Sequence, residues 1–407
     1  MVLMRTYTRL SLLPESPRLA YRAMSSSTTR YTRVKASPIR TADLPGPYDL
    51  HIPTVELAYE KHPRASAKSG TSDTPTKEPI IFVHGIFGSK SNTRTVSRVL
   101  ARDLDRDVYC VDMRNHGDSP HTPLHTYPAL AADIEHFIDC HKLGPSILVG
   151  HSMGAKAVMA VALRSRASEL VAGLVSVDNA PWNAQLSSDF PKYVRALQQI
   201  EAAHFTRTQD AYAMLAKQEP NVTIQQFLLS NMKRASQLPV SAKHELVERL
   251  RSRLRAKSEA VPAGHHPHDH HPHRDARGII HDHSVAPGSG SPTAAAKTAT
   301  AALDSEISEA EKHILHFRVP LDIIGKSLDH MADFPYFPFE TRYSGPTMFV
   351  RGMKSHYVPD EAIPLIGELF PKFTLKDVDS GHWVISEKPL EFVEYLKDFI
   401  SREIELD

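Results

Sequence analysis

The chain has 407 residues, with 48 Lys and Arg against 47 Asp and Glu, so its formal charge is only +1, and it is 41% hydrophobic and 23% charged. That balance gives no electrostatic reason to expect a nucleic-acid partner, while the length is enough for a sizeable core plus one appendage. No run of 18 apolar residues occurs, which argues against a membrane-spanning helix. The two cysteines, Cys110 in an expected strand and Cys140 in an expected helix, are predicted to be buried apolar residues of a protein in a reducing compartment.

The first 41 residues hold one acid, Glu15, against Arg5, Arg9, Arg18, Arg22, Arg30, Arg33, Lys35 and Arg40, with Ser and Thr filling much of the rest. Drawn as a helix, Leu3, Tyr7 and Leu10 share one face and Arg5 and Arg9 lie opposite. This is the amphipathic, Arg-rich, acid-poor character of a mitochondrial presequence, with removal expected near Tyr21 to Ser27; a disordered basic tail is the plainer alternative. Residues 48–59 alternate enough for one or two early strands, and residues 61–78, a Ser, Thr, Pro and Lys mixture, are predicted to form an exposed loop.

Short β-branched apolar runs then alternate with helical patterns. Strands are predicted over 80–83, 108–111, 146–149 and 174–177, and helices over 96–104, 128–142 and 153–164. Such alternation predicts a doubly wound, mostly parallel α/β sheet. After residue 191 the periodicity changes: 192–254 is helical and polar. The segment 257–302 carries His265, His266, His268, His270, His271, His273, His281 and His283 among Gly, Ser, Pro, Thr and Ala. That composition cannot bury a core and predicts disorder, and its histidine register lacks a separated second half to close a tetrahedral metal site. The sheet pattern returns at 347–350 and 373–378. The expected organisation is a presequence and basic tail over 1–41, a first core part over 45–190, a helical cap over 191–340 holding the insert 257–302, and a second core part over 341–407. A cap inserted there sits over the carboxyl ends of the strands, where open α/β sheets bind ligands.

The chemistry centres on Gly150-His151-Ser152-Met153-Gly154, a GxSxG motif between an expected strand and an expected helix. The glycines let strand and helix approach so closely that Ser152 is held in a strained turn with its hydroxyl exposed. A serine hydroxyl needs an adjacent base, an acid to orient that base, and backbone donors for the oxyanion. His382, directly after the last expected strand, is the base; His356 is a rival one strand too early. The loop after 347–350 has Ser355 where an aspartate is usual, so Asp178, at the end of the preceding sheet strand, is the expected acid, with a purely turn-forming role as its alternative and Asp360 in reserve. The oxyanion donors are expected to be the amides of Met153 and Ile86, with Phe87 as the alternative to Ile86. His84 and His116 are expected to scaffold their loops. No cofactor and no metal is required by this scheme.

Six segments in order carry a resemblance: HGIFGSKSN from His84, DMRNHGDSPH from Asp112, GHSMGAK from Gly150, VDNAP from Val177, FRVPLDII from Phe317 and SGHW from Ser380. Together they resemble the mitochondrial α/β-hydrolase domain-containing protein 11 family, to which the fungal ethanol acetyltransferases are similar. The resemblance spans about residues 79–400 apart from the His-rich insert. It implies an α/β-hydrolase fold, an acid after the strand that follows the elbow helix, in agreement with Asp178, and a serine-dependent hydrolase or acyltransferase working through an acyl-Ser152 intermediate. The implied substrates are esters or acyl thioesters such as acyl-CoA, with water or an alcohol as acceptor, so that esterase, thioesterase and alcohol acetyltransferase share one scheme. It also implies residence in the mitochondrial matrix. For animal members it suggests a function of another class, a binding role that protects a lipoylated dehydrogenase complex. Two departures are Ala155, at a position where the family has glycine, and the insert itself.

Overall fold

The apolar runs lie side by side in a computed structural model of the chain, which describes residues 48, 51–68, 77–183, 189–237 and 313–405. The presequence expected over 1–41 and the insert expected over 257–302 lie outside the described residues. The strands are β1 (Tyr59–His62), β2 (Ile80–Val83), β3 (Val108–Val111), β4 (Ser146–His151), β5 (Val171–Val177), β6 (Met232–Arg234), β7 (Leu315–Phe317), β8 (Thr347–Gly352) and β9 (Phe373–Val378). Seven form one sheet in the order β1-β3-β2-β4-β5-β8-β9, antiparallel only at β1, while β6 and β7 pair separately. The longer helices are α1 (Arg94–Asp103), α2 (Tyr127–Cys140), α3 (Met153–Ala162), α4 (Asp189–Ala202), α5 (Thr208–Leu215), α6 (Val222–Leu229), α7 (Leu321–Ala332), α8 (Ile363–Leu369) and α9 (Pro389–Glu403).

The central strands are apolar without alternation because both faces of the sheet are covered. Ile80 and Phe82 of β2 and Val108 and Cys110 of β3 join a core with Leu100 of α1 and Phe392 and Leu396 of α9. The residues between them, Ile81, Val83, Tyr109 and Val111, point to the other side, into a core with Leu130 and Ile134 of α2 and Val158 of α3. Parallel strands need such crossover helices, and β4, α3 and β5 form one unit of this kind with the GxSxG turn at its apex.

Three expectations need correction. Among the described residues of 48–59 only Tyr59 belongs to a strand, because the N–H of Val55 donates to Asp133 Oδ1 (2.8 Å) and that of Ala58 to Ser119 Oγ (2.8 Å), so side chains take donors that a ladder would use. The loop expected from residue 61 starts later, since β1 runs to His62. Cys140 is exposed, on the outer face of α2 one turn after His136, whereas Cys110 is buried as expected.

As far as residue 237, where the described part of this segment ends, the chain after residue 191 is largely helical but not polar throughout: Tyr193, Val194, Leu197 and Ile200 of α4 are buried together with Ile324 of α7. Amphipathic helices with a long charged face read as polar when averaged over a window. This inserted part is tied to the core loops. Phe190 stacks on Phe87 with ring centroids 6.4 Å apart, and the Asn231 amide donates to the Phe87 carbonyl. Arg318 pairs with Asp118 at 3.0 Å. The buried Lys156 of α3 donates to the carbonyls of Trp182 (2.9 Å), Ala332 (3.1 Å) and Asp333 (3.3 Å), and so touches the chain shortly before residue 191 and at the end of α7.

Candidate active site

At the end of β4 the backbone turns through Ser152 with φ 57° and ψ −116°. A non-glycine residue in this region costs on the order of 1–3 kcal/mol and persists only where its surroundings over-determine it. They do so here. A Cβ on Gly150 would come within 2.1 Å of the Gly154 carbonyl oxygen, and one on Gly154 within 2.2 Å of the Val83 carbonyl oxygen, so larger residues would push the helix off the strands. The Ser152 N–H donates to the Val177 carbonyl (3.0 Å), and the Asn179 amide donates to the Ser152 carbonyl (3.1 Å).

Two loops bring His382 and Asp178 to this turn. Ser152 Oγ donates to His382 Nε2 at 2.9 Å, and His382 Nδ1 donates to Asp178 Oδ2 at 2.7 Å. Asp178 is fully buried and has φ 51°, and its N–H donates to the Val350 carbonyl (2.8 Å). Its carboxylate accepts two further hydrogen bonds, from the Gly352 N–H to Oδ1 (2.9 Å) and from Ser355 Oγ to Oδ2 (2.5 Å). The carboxylate therefore keeps strong donors on both oxygens despite complete burial. The rivals lie elsewhere: Asp360 is exposed and pairs with Arg351 (2.6 Å), and His356 is exposed.

Gly85 lies against the serine, where a Cβ would be 3.0 Å from Ser152 Cβ. Of the next two amides, that of Phe87 donates to His116 Nε2 (3.2 Å), while the amide of Ile86 has no partner among the described residues. The Met153 amide, in the first turn of α3, likewise has none, as the opening N–H groups of a helix have no intrahelical acceptor. His116 accepts at Nε2 and donates through Nδ1 to the Arg114 carbonyl (3.0 Å), so its tautomer is fixed. His84 does the same one loop away, accepting from the Met113 N–H (3.0 Å) and donating to the Gly85 carbonyl (2.8 Å). Burial pushes both histidines below their usual range, His116 further because His84 and His125 stand beside it. Beneath them Arg114 spans Asp133 with two hydrogen bonds and also donates to the carbonyls of Leu124 and Pro53, which pins the loop that carries His116.

Sequence reasoning passed over three neighbours of this chain of hydrogen bonds. Ser355 was considered only as a residue unable to carry charge, yet it holds the carboxylate. Tyr357 lies against the His382 ring, with centroids 4.2 Å apart and planes at 32°. His151 bonds the main chain of His382. The signal for His151 was its place inside the motif; for Ser355 and Tyr357 no local signal exists, since only the convergence of two strand ends brings them in. Among the described residues no group of three or more His, Cys, Asp or Glu side chains is clustered to hold a metal ion, and no helix is long and apolar enough to cross a membrane.

Comparison with known proteins places this geometry in a family. A profile described as alpha/beta hydrolase fold matches residues 78–278 and 284–389. An abhydrolase domain-containing protein of Schizosaccharomyces pombe is 31% identical over 86% of this chain and all of its own length, and a protein named probable alcohol acetyltransferase of Saccharomyces cerevisiae is 30% identical over 86% of this chain and 84% of its own. One named sn-1-specific diacylglycerol lipase ABHD11, from Xenopus laevis, is 29% identical over 79% of each chain. A solved marine microorganism esterase is similar in fold, with a TM-score of 0.57 and 22% identity over 85% of this chain and 99% of that one. With a parallel sheet, a strained serine turn at the end of β4 and matches over most of its length, the chain belongs to the alpha/beta hydrolase fold family, among ester hydrolases and acyltransferases.

Proposed function

We propose that Ser152, His382 and Asp178 carry out acyl transfer from an ester or acyl thioester through an acyl-Ser152 intermediate. The observation that carries this reading is the continuous line of hydrogen bonds from Ser152 Oγ through the His382 ring to the buried Asp178 carboxylate. His382 Nε2 takes the hydroxyl proton as Ser152 Oγ bonds to the substrate carbonyl carbon. Asp178 keeps the proton on Nδ1 and stabilises the imidazolium. The oxyanion forms beside the amides of Met153 and Ile86, donors with no other acceptor among the described residues. His382 then returns its proton to the departing alkoxide or thiolate. Water or an alcohol, deprotonated by the same imidazole, releases the acyl group.

Alcohol acetyltransfer and diacylglycerol lipolysis, the activities for which relatives are named, can both run through such an intermediate, and acceptor access rather than the three side chains decides between hydrolysis and transfer. The proposed substrates are therefore acyl-CoA and carboxylic esters, with an alcohol as acceptor in the transfer mode. Acetyl-CoA supplied with and without ethanol, with acetate, ethyl acetate and free CoA measured, separates the modes; inertness toward acetyl-CoA and toward a panel of short esters and diacylglycerols would refute the reading. The composition of residues 1–41 supports residence in the mitochondrial matrix, which a fluorescent fusion of those residues tests.

A further inference from the structure

His151 takes no part in the reaction drawn above, yet it lies between Ser152 and the loop that supplies the base. Its Nε2 is 2.8 Å from the main-chain carbonyl oxygen of His382, so Nε2–H donates to it. Its ring centroid is 5.0 Å from that of His382 and 6.0 Å from that of Trp383. Consecutive residues thus grip one residue at two points: His151 holds the peptide of His382 while Ser152 meets its imidazole.

Asp178 and Tyr357 hold the His382 ring, and the other main-chain ties of that bend act on its flanks. Glu387 accepts from the N–H of Gly381 (2.9 Å) and of Trp383 (3.3 Å), and the Lys354 N–H donates to the Ser380 carbonyl (3.0 Å). None of these main-chain ties fixes where residue 382 stands relative to the serine. We propose that His151 is a positioning residue for acyl transfer, clamping the His382 carbonyl so that Nε2 stays within reach of Ser152 Oγ. The role suits a neutral donor. Burial, with the nearby His382 as a lesser cause, brings His151 down to about 4, so it remains uncharged when His382 becomes imidazolium and adds no second positive charge to the site.

This inference rests on the acyl-transfer reading, and its test separates the two. His151→Leu removes the donor and keeps bulk, whereas His151→Gln carries an N–H at a similar reach. Ester hydrolysis, fluorophosphonate labelling of Ser152, and the downfield Nδ1–H resonance of His382 are followed in full-length protein. His151→Leu is expected to lower kcat by about 10² with KM little changed, the size of a misplacement near 1 Å, and to broaden or lose the His382 resonance. His151→Gln is expected to restore kcat to within about fivefold, with the resonance intact. If His151→Leu does not fold, His151→Asn, whose donor falls short, takes its place in the comparison. Equal kcat and an unchanged resonance in the donor-less variant would overturn the clamp and leave the acyl-transfer reading standing. A wild-type protein in which Ser152 resists labelling would instead sink that reading and, with it, the role assigned to His151.

Discussion

The loops that leave β5 and β8 meet at one carboxylate and bring unlike chemistry to it. The β5 loop supplies the charge, Asp178, in a left-handed backbone conformation with no exposure. The β8 loop supplies only donors, the Gly352 N–H and the Ser355 hydroxyl, one to each carboxylate oxygen. The difference teaches that a carboxylate bonded to a histidine can stand at the end of β5 when the end of β8, which lacks one, offers it hydrogen bonds. A buried carboxylate without such donors would be driven toward its neutral form.

Variants rank by how deeply they cut into this arrangement. Ser152→Ala is expected to abolish fluorophosphonate labelling and lower turnover by about 10⁶, the scale seen when a serine nucleophile is removed, so that neither loop matters any longer. Labelling that persists would place the nucleophile elsewhere. Asp178→Asn leaves the shape but weakens orientation of the imidazole and stabilisation of its cation, and is expected to lower kcat by about 10⁴. Adding Ser355→Asp to Asp178→Asn returns a carboxylate from the other loop, within reach of the same position, and is expected to recover about tenfold to hundredfold of that loss; no recovery would mean that the β8 loop serves as donor only. Ser355→Ala alone removes one of the donors on Asp178 and is expected to cost about tenfold in kcat, the equivalent of a ~1.4 kcal/mol charge-assisted hydrogen bond. Asp360→Asn, which loosens an exposed pair with Arg351, is expected to stay within about twofold of wild type. A large loss there, with Asp178→Asn active and folded, would move the acid to the later loop.

The same two loops show what the sequence could tell. Asp178 was legible because the buried strand pattern of 174–177, interrupted only by the small Ser176, stops at Val177, and a charged residue just past such a strand lies on the rim of the sheet. Ser355 was legible only as an absence, because its partner is 177 positions away and nothing local says that the ends of β5 and β8 are hydrogen-bonded neighbours. The strands of the central sheet were readable because burial on both faces leaves short, mostly apolar runs rich in Val and Ile. The edge was not: alternation in 51–58 looks like a strand, but side chains from α2 and from the loop after β3 claim its amides. The pair β6 and β7 escaped for a related reason, three-residue strands being too short to show any period. Cys140 was misplaced by residue type, since cysteine is usually buried and its helix face could be judged only with the helix docked.

The buried His84, His116 and His125 and the half-buried His151 also make the fold a proton acceptor when it opens. His151 is held down to about 4 and His125 to about 3, chiefly by burial, and His84 and His116 are displaced in the same direction. Between those values and about 6.5, His151 and His125 are neutral when folded but take a proton once unfolded, so the unfolded chain binds more protons and stability rises with pH; His84 and His116 act in the same direction. The contribution is complete above about 6.5 and drains as acidity increases, by about 1.4 kcal/mol per pH unit for each group. Calorimetry in buffers of different ionisation enthalpy is expected to register net proton uptake on unfolding at pH 5 and a smaller one at pH 8, where Lys156, brought down to about 7 by burial, still gains a proton. The urea midpoint is expected to fall as the pH is lowered over the same interval, so that acidification alone becomes a route to unfolding.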